Sequence, residues 1–270
     1  MGIKASVMVT TYNKNKELPN VFHSLSLQKT DFEYEVCVLD DCSLVDPKSL
    51  YDRYLQVEHK KYSRLLHHIG NRGVRSNFKA HSDFTSSYGH TLLMVAEEVE
   101  VVVDVSADVL WAQKDILQKL VDSMRPMEIQ LCRVVNMPID PKLHENWEEG
   151  IKQILETVHD PKTCRFGDYQ GIGRGPFGKD GKNHQWYPFL IPFYKVDCLD
   201  PNKIHYLNDN RDTSLSGVLH VRGYSASYRR DIIGIHQAHA PQAAVQVQHD
   251  ADLINWGPQQ PERQEYPEDE

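Results

Sequence analysis

Three short polar clusters stand where apolar runs stop. Thr10, Thr11, Tyr12 and Asn13 follow KASVMV; Asp40, Asp41, Cys42 and Ser43 follow YEVCVL; Ser106, Ala107 and Asp108 follow VEVVVDV. Small molecules bind open α/β sheets at the carboxyl ends of the strands. A carboxylate in that position escapes the cost of deep burial by meeting a cation. Each cluster also has a purely local reading: TTYN as a turn with a helix N-cap, DDCS as an Asx-turn, Asp108 as the N-cap of a following helix. Recurrence on successive strands favours a shared site. Further along, IGIHQAHAP holds His236 and His239 at HxxH spacing, a weak signal in a chain with 14 histidines. Asp209 and Asp212 fall in the turn-rich LNDNRDTS, where a capping role is the local alternative.

The elements that must carry these groups follow from periodicity. Residues 4–9 and 34–41 are expected strands, the second near-continuously apolar as a strand buried on both faces should be. Between them Leu18, Val21, Phe22 and Leu25 recur at amphipathic-helix spacing. A mixed segment leads to a second expected helix, GHTLLMVAEEV (89–99), and then to the strand VEVVVDV (99–105). DILQKLVDSM predicts a helix with Ile116, Leu120, Val121 and Met124 on one face. EIQLCRVVNM predicts a strand, and WEEGIKQILETV a helix with Trp147, Ile151, Ile154, Leu155 and Val158 inward. The βαβαβ rhythm implies an α/β fold: a Rossmann-like, mostly parallel twisted sheet flanked by helices in a single domain. Residues 164–186 are glycine-rich and aperiodic, which predicts a functional loop with Trp186 and Tyr187 at its far end. YPFLIPFYKV restarts the fold, DTSLSGVLHVRGY predicts a short helix, and ASYRRDIIGIHQAH a final strand. From about 241 the sequence turns polar, and 246–270 is an expected disordered, acidic tail.

Composition bounds the function. The 270 residues are 40% hydrophobic and 25% charged, with a net charge of -8, and so without the basic footprint of a dedicated nucleic-acid binder. Five cysteines, Cys37, Cys42, Cys132, Cys164 and Cys198, are odd in number and scattered, which argues against a disulfide framework and a structural zinc site. The apolar run at the N-terminus is too short for a signal-peptide core or a membrane span, so a cytoplasmic protein is expected.

TTYNKNKELPNVFHSLSLQKTDFEYEVCVLDDCS resembles the opening of the inverting GT-A glycosyltransferases of family 2, which carry a T-x-Y-N turn, a helix ending S-L-x-x-Q and a strand ending D-D-x-S in this order. The resemblance implies residues 1–245 as one GT-A domain, 1–110 binding the nucleotide and 111–245 the acceptor. It places Thr10 and Tyr12 in the nucleotide pocket and Asp41 on the base edge. An aromatic plane and a carboxylate acceptor suit a nucleobase, which offers a π-face and N–H donors. SADV matches the family's D-x-D turn, with Asp108 as metal ligand and Ser106 in place of the first Asp. Asp104, inside the strand, is secondary. His236, and after it His239, would complete the metal site; imidazole with carboxylate and diphosphate oxygens suits Mn2+, Mg2+ being the harder alternative. RDTSLSGVLHVRG aligns with the family's base motif at Asp212, with Asp209 as fallback, although Arg211, Ser214 and Val218 depart from it. Arg75, or Arg72, in NRGVRSN would contact the diphosphate.

The implied activity is inverting transfer of a sugar from a nucleotide-sugar donor, which the resemblance implies to be UDP-linked, to an acceptor hydroxyl. Polysaccharide, lipid-linked glycan, protein and modified nucleic acid stay open as acceptors, the acidic balance and lack of an anchor weighing against lipid and nucleic acid. Two alternatives stand beside it. A nucleotidyltransferase would want a glycine-rich loop after the first strand, and TTYNKNKE has no glycine. A non-catalytic nucleotide-sugar-binding or partner subunit is motivated by Ser106 and Arg211. GIGRGPFG is not a dinucleotide fingerprint, lacking both the spacing and the βαβ context.

Overall fold

A computed structural model describes residues 2–66, 90–91, 93–125, 128–159, 189–192 and 225–237. Arg72, Arg75, Asp209, Asp212, His239, the glycine-rich loop with Trp186 and Tyr187, the expected helix at 212–224 and the acidic tail lie outside these residues. Two compact units divide the chain at Gln237, and every described residue belongs to the first, Met1–Gln237.

In chain order the elements are β1 (Ala5–Thr11), α1 (Leu18–Ser26), β2 (Tyr34–Asp40), α2 (Lys48–Tyr54), β3 (His59–Arg64), β4 (Val101–Ser106), β5 (Val109–Trp111), α3 (Ile116–Ser123), β6 (Glu128–Met137), a 3-10 turn (Leu143–Asn146), α4 (Trp147–His159), β7 (Phe189–Pro192) and β8 (Ser225–Gln237). The strands form one sheet in the order β3-β2-β1-β4-β7-β6-β8-β5. β3, β2, β1 and β4 run parallel, as do β6 and β8. β7 is antiparallel to both β4 and β6, and β5 is antiparallel to β8. The sheet is therefore mostly parallel and flanked by helices, the GT-A architecture.

The centre of the sheet is buried because its sequence is apolar on both faces. Val7, Met8, Val9, Val36, Val38, Val102, Val103 and Val105 are all fully buried. On one face α1 lays down Leu18, Val21, Phe22 and Leu25, fully buried as the periodicity predicts, and α3 adds Ile116, Leu117, Leu120 and Val121. Each such side chain stabilises the fold by roughly 1.5–3 kcal/mol. Met124 packs against this core from just beyond the end of α3. A second cluster forms where Trp147, Ile151 and Val158 of α4 meet Leu110, Val135, Ile233 and Ile235, with Ile154 and Leu155 at its margin.

Three local expectations are corrected. The mixed segment after β2 holds α2 and β3. α2 buries only Tyr51, and β3 is an edge strand, HKKYSR, with no fully buried residue. Lysine and arginine on an edge blunt further pairing but erase the apolar signal. The helix expected at 89–99 is helical at His90 and Thr91, whereas turns occupy 93–98 and Leu93 is exposed. Finally, β5, not a helix, follows Asp108, so Asp108 is no helix N-cap; the N-cap of α3 is Asp115.

Candidate functional site

Strand register lines up the polar clusters. Thr10 pairs with Leu39 on one side and with Ser106 on the other, and Thr11 pairs with Asp40. Three parallel strands therefore release their turns at one edge of the sheet.

The first two turns are laced together. Asn13 has a positive φ of 52°, which swings the chain off β1, and its backbone N–H donates to Ser43 Oγ at 2.8 Å. In return Leu44 N–H donates to Asn13 Oδ1 at 2.8 Å, and Asn15 Nδ2 donates to the Val45 carbonyl. Cys42 also has positive φ, 61°, so the β2 turn is as tightly wound as its neighbour. Asp40 is fully buried beneath it. Its carboxylate accepts bonds from the backbone N–H and hydroxyl of Ser43 and pairs with Arg64 Nε at 3.0 Å. Arg64 also donates to the Ser43 carbonyl and pairs with Asp46, which accepts the Tyr62 hydroxyl at 2.6 Å. Burial pushes the Asp40 carboxyl up, against the lowering pull of Ser43 and Arg64. The Tyr62 hydroxyl bond leads the interactions that hold Asp46 down.

The paired aspartates of DDCS thus have different situations. Asp40 makes the Asx-turn that the local reading expects, whereas Asp41 is buried with its backbone N–H on the Thr11 carbonyl at 2.8 Å. Thr10 Oγ1 lies 3.0 Å from Thr91 Oγ1, and Tyr12 is half-buried.

The third turn carries the charge. Asp108 is 9% exposed. Ser106 Oγ donates to its Oδ1 at 2.8 Å, while Oδ2 faces Lys14 Nζ at 2.9 Å and His236 Nε2 at 3.4 Å. The backbone fixes this arrangement. β5 pairs with β8 so that Val109 stands opposite His236, and Gln237 N–H donates to the Asp108 carbonyl at 2.9 Å. Burial alone would raise the Asp108 pKa. The His236 bond and the Lys14 charge outweigh it and hold the carboxyl well below the usual range.

Asp108 and His236, assigned to one site by the resemblance, are therefore in contact, with Ser106 beside them. Asp104 is buried inside β4, and because that strand ends at Ser106 the two aspartates do not share one continuous strand. Lys14 is the residue that sequence reasoning passed over. Its signal was a cation immediately after the T-x-Y-N turn, read only as part of a glycine-free loop.

As ligands for Mn2+ or Mg2+, an imidazole nitrogen and a carboxylate oxygen 3.4 Å apart fit two neighbouring positions on one cation. Among the described residues no group of three or more His, Cys, Asp and Glu side chains comes together, so the other positions would fall to oxygens of the donor and to water.

A mostly parallel α/β sheet whose polar turns converge at the carboxyl ends of β1, β2 and β4 has the GT-A fold. Residues 6–126 match the model of glycosyl transferase family 2, a little under half of the chain. Among solved structures it is similar to S. aureus TarS 1-349, with 18% identity and a TM-score of 0.54 over 94% of this chain and 66% of that one. TarS 1-349 in complex with UDP-GlcNAc matches at 17% identity and a TM-score of 0.55, over 90% and 61%. The mannosyltransferase PcManGT from Pyrobaculum calidifontis, in complex with GDP-Man and Mn2+, matches at 17% and 0.53, over 94% and 65%. The chain thus spans less than two thirds of the length of each. No curated protein matches it. No helix among the described residues is long and apolar enough to cross a membrane.

Proposed function

We propose that this chain transfers a sugar, with inversion, from a nucleotide-sugar donor to an acceptor hydroxyl within a domain spanning 1–245. The observation that carries the reading is the contact of Asp108, Ser106 and His236 at the same sheet edge as the TTYN and DDCS turns. The family-model match over residues 6–126 and the nucleotide sugars held by the similar structures support it.

Thr10, Tyr12 and Asp41 hold the nucleoside, Tyr12 against the base and Asp41 on its N–H edge. A uridine base is the donor chemistry of one similar structure, and a guanosine base that of another. Asp108 and His236 hold a divalent cation, Mn2+ or Mg2+, which when bound neutralises charge on the diphosphate. Arg75 adds a further positive charge there. The acceptor oxygen attacks the anomeric carbon and gives its proton to Asp212, or failing that to Asp209. The bond from that carbon to the diphosphate breaks with its electron pair going to the leaving nucleotide.

The test is release of free nucleotide from a panel of UDP- and GDP-sugars with Mn2+. Slow release that disappears in Asp108→Ala is the expected result; no donor binding by the intact chain would overturn the reading. Tight binding without release, even with candidate acceptors present, would favour the non-catalytic alternative, for which serine at 106 is the specific motive.

A further inference from the structure

Lys14 Nζ and His236 Nε2 approach the same oxygen of Asp108, at 2.9 and 3.4 Å. A divalent cation bound to that oxygen would lie beside the ammonium, and the two positive charges would repel each other. The turn also carries one carboxylate where a D-x-D turn has two, because Ser106 is neutral, and Lys14 cancels the remaining charge. In the empty protein the Asp108 carboxylate is therefore already paired with a cation.

The position of Lys14 suggests where the ammonium goes when a metal arrives. Its backbone is fixed: the Lys14 carbonyl accepts the N–H groups of Glu17 and Leu18, both at 3.0 Å, to start α1. Its side chain is 32% exposed, so four flexible carbons end at the rim of the cleft. Two partners are within reach there, the carboxylate of Glu17 at 3.9 Å and any anion entering beside Asp108. An ammonium is a compact point charge well suited to phosphate oxygens.

We propose that Lys14 is an exchangeable cation of the donor site: it occupies Asp108 Oδ2 in the empty protein and moves to the donor's diphosphate when a divalent metal takes its place. The inference rests on the donor-binding reading above and deepens it by assigning a second diphosphate contact. It also makes metal and donor arrive together, since metal alone must expel the ammonium, whereas metal with nucleotide supplies its new partner.

Two binding measurements on the full chain test this without turnover. Mn2+ binding in the absence of nucleotide is followed by the electron paramagnetic resonance signal of the free aqueous ion, and UDP binding at saturating Mn2+ is followed by calorimetry. Lys14→Ala is expected to bind Mn2+ roughly tenfold more tightly and UDP roughly tenfold more weakly, about the worth of one charge-assisted hydrogen bond. Lys14→Arg should hold UDP within roughly threefold of the parent. Opposite signs cannot come from misfolding. Loss of both affinities in Lys14→Ala, or no change in either, overturns the proposal. Tighter Mn2+ with unchanged UDP also overturns it, by sending the ammonium to Glu17. Mn2+ binding by the parent that UDP does not tighten overturns this inference and leaves the donor reading standing. No UDP binding with Mn2+ present sinks the donor reading itself.

Discussion

The two halves of the sheet edge handle a buried aspartate in opposite ways. At the end of β2, Asp40 is locked by Ser43 and Arg64, and Arg64 in turn by Asp46 and Tyr62, so the charge is spent on holding a turn in shape. At the β4 turn, Asp108 is met by one hydroxyl, one lysine from another loop and one imidazole from the last described strand. The first arrangement is closed and suits a pocket that must recognise a fixed outline. The second is made of partners that can be traded for a metal ion or an anion. A closed and an open arrangement thus sit at the ends of two parallel strands that flank β1.

That contrast can be broken most sharply at Asp108. Asp108→Ala should lower donor turnover by on the order of a hundredfold to a thousandfold, read as nucleotide release, beyond whatever stability it loses in urea. The reverse is expected at the other aspartate. Asp40→Ala leaves Arg64 without its buried partner and should cost roughly 2–3 kcal/mol of stability, a discounted value because Arg64 is partly exposed; equilibrium urea denaturation measures it.

The pH dependence should also differ in sign. The folded-state pKa of Asp108 lies below its unfolded value, so its contribution is present above the unfolded pKa and is lost as pH falls below about 5. The folded-state pKa of Asp40 is raised, so its titration favours folding below the unfolded pKa and that gain is lost as pH rises through the folded value. Between about pH 3 and pH 7, Asp108→Asn should therefore gain less stability than the parent and Asp40→Asn more, as read from urea midpoints at each pH. Identical slopes in the two variants would erase the contrast. The smallest effect is expected for Ser106→Ala, which removes one hydroxyl bond to a carboxylate and should lower turnover by roughly threefold to tenfold with little change in fold.

What could be read from the sequence follows the depth of burial. β1, β2 and β4 are apolar on both faces and α1 repeats its core residues at regular spacing, so their place and type were evident, as were β6, α4 and β8. β3 was not, because an edge strand written HKKYSR has neither alternation nor an apolar run. β5 was hidden for a different reason. VLW is only three residues long and owes its strand character to the distant β8, with Leu110 and Trp111 going to separate clusters. In the site, the three strand-end clusters were visible as recurring polar breaks, and the resemblance paired Asp108 with His236. Lys14 escaped because its importance lies in a fold-dependent distance and no motif marks it. The apolar count in GHTLLMVAEEV misled in the other direction, since Leu93 faces solvent.

The pairing of Val109 with His236 has a bearing on how the protein is made. During synthesis the turn holding Asp108 emerges early, whereas the strand that supplies His236 and the bond from Gln237 is the last described element to leave the ribosome. A nascent chain can close the β1, β2 and β4 core first, since domains begin to fold from the N-terminal side. Asp108 and Lys14 both lie within that segment, whereas the pairing that fixes the Asp108 turn waits for β8.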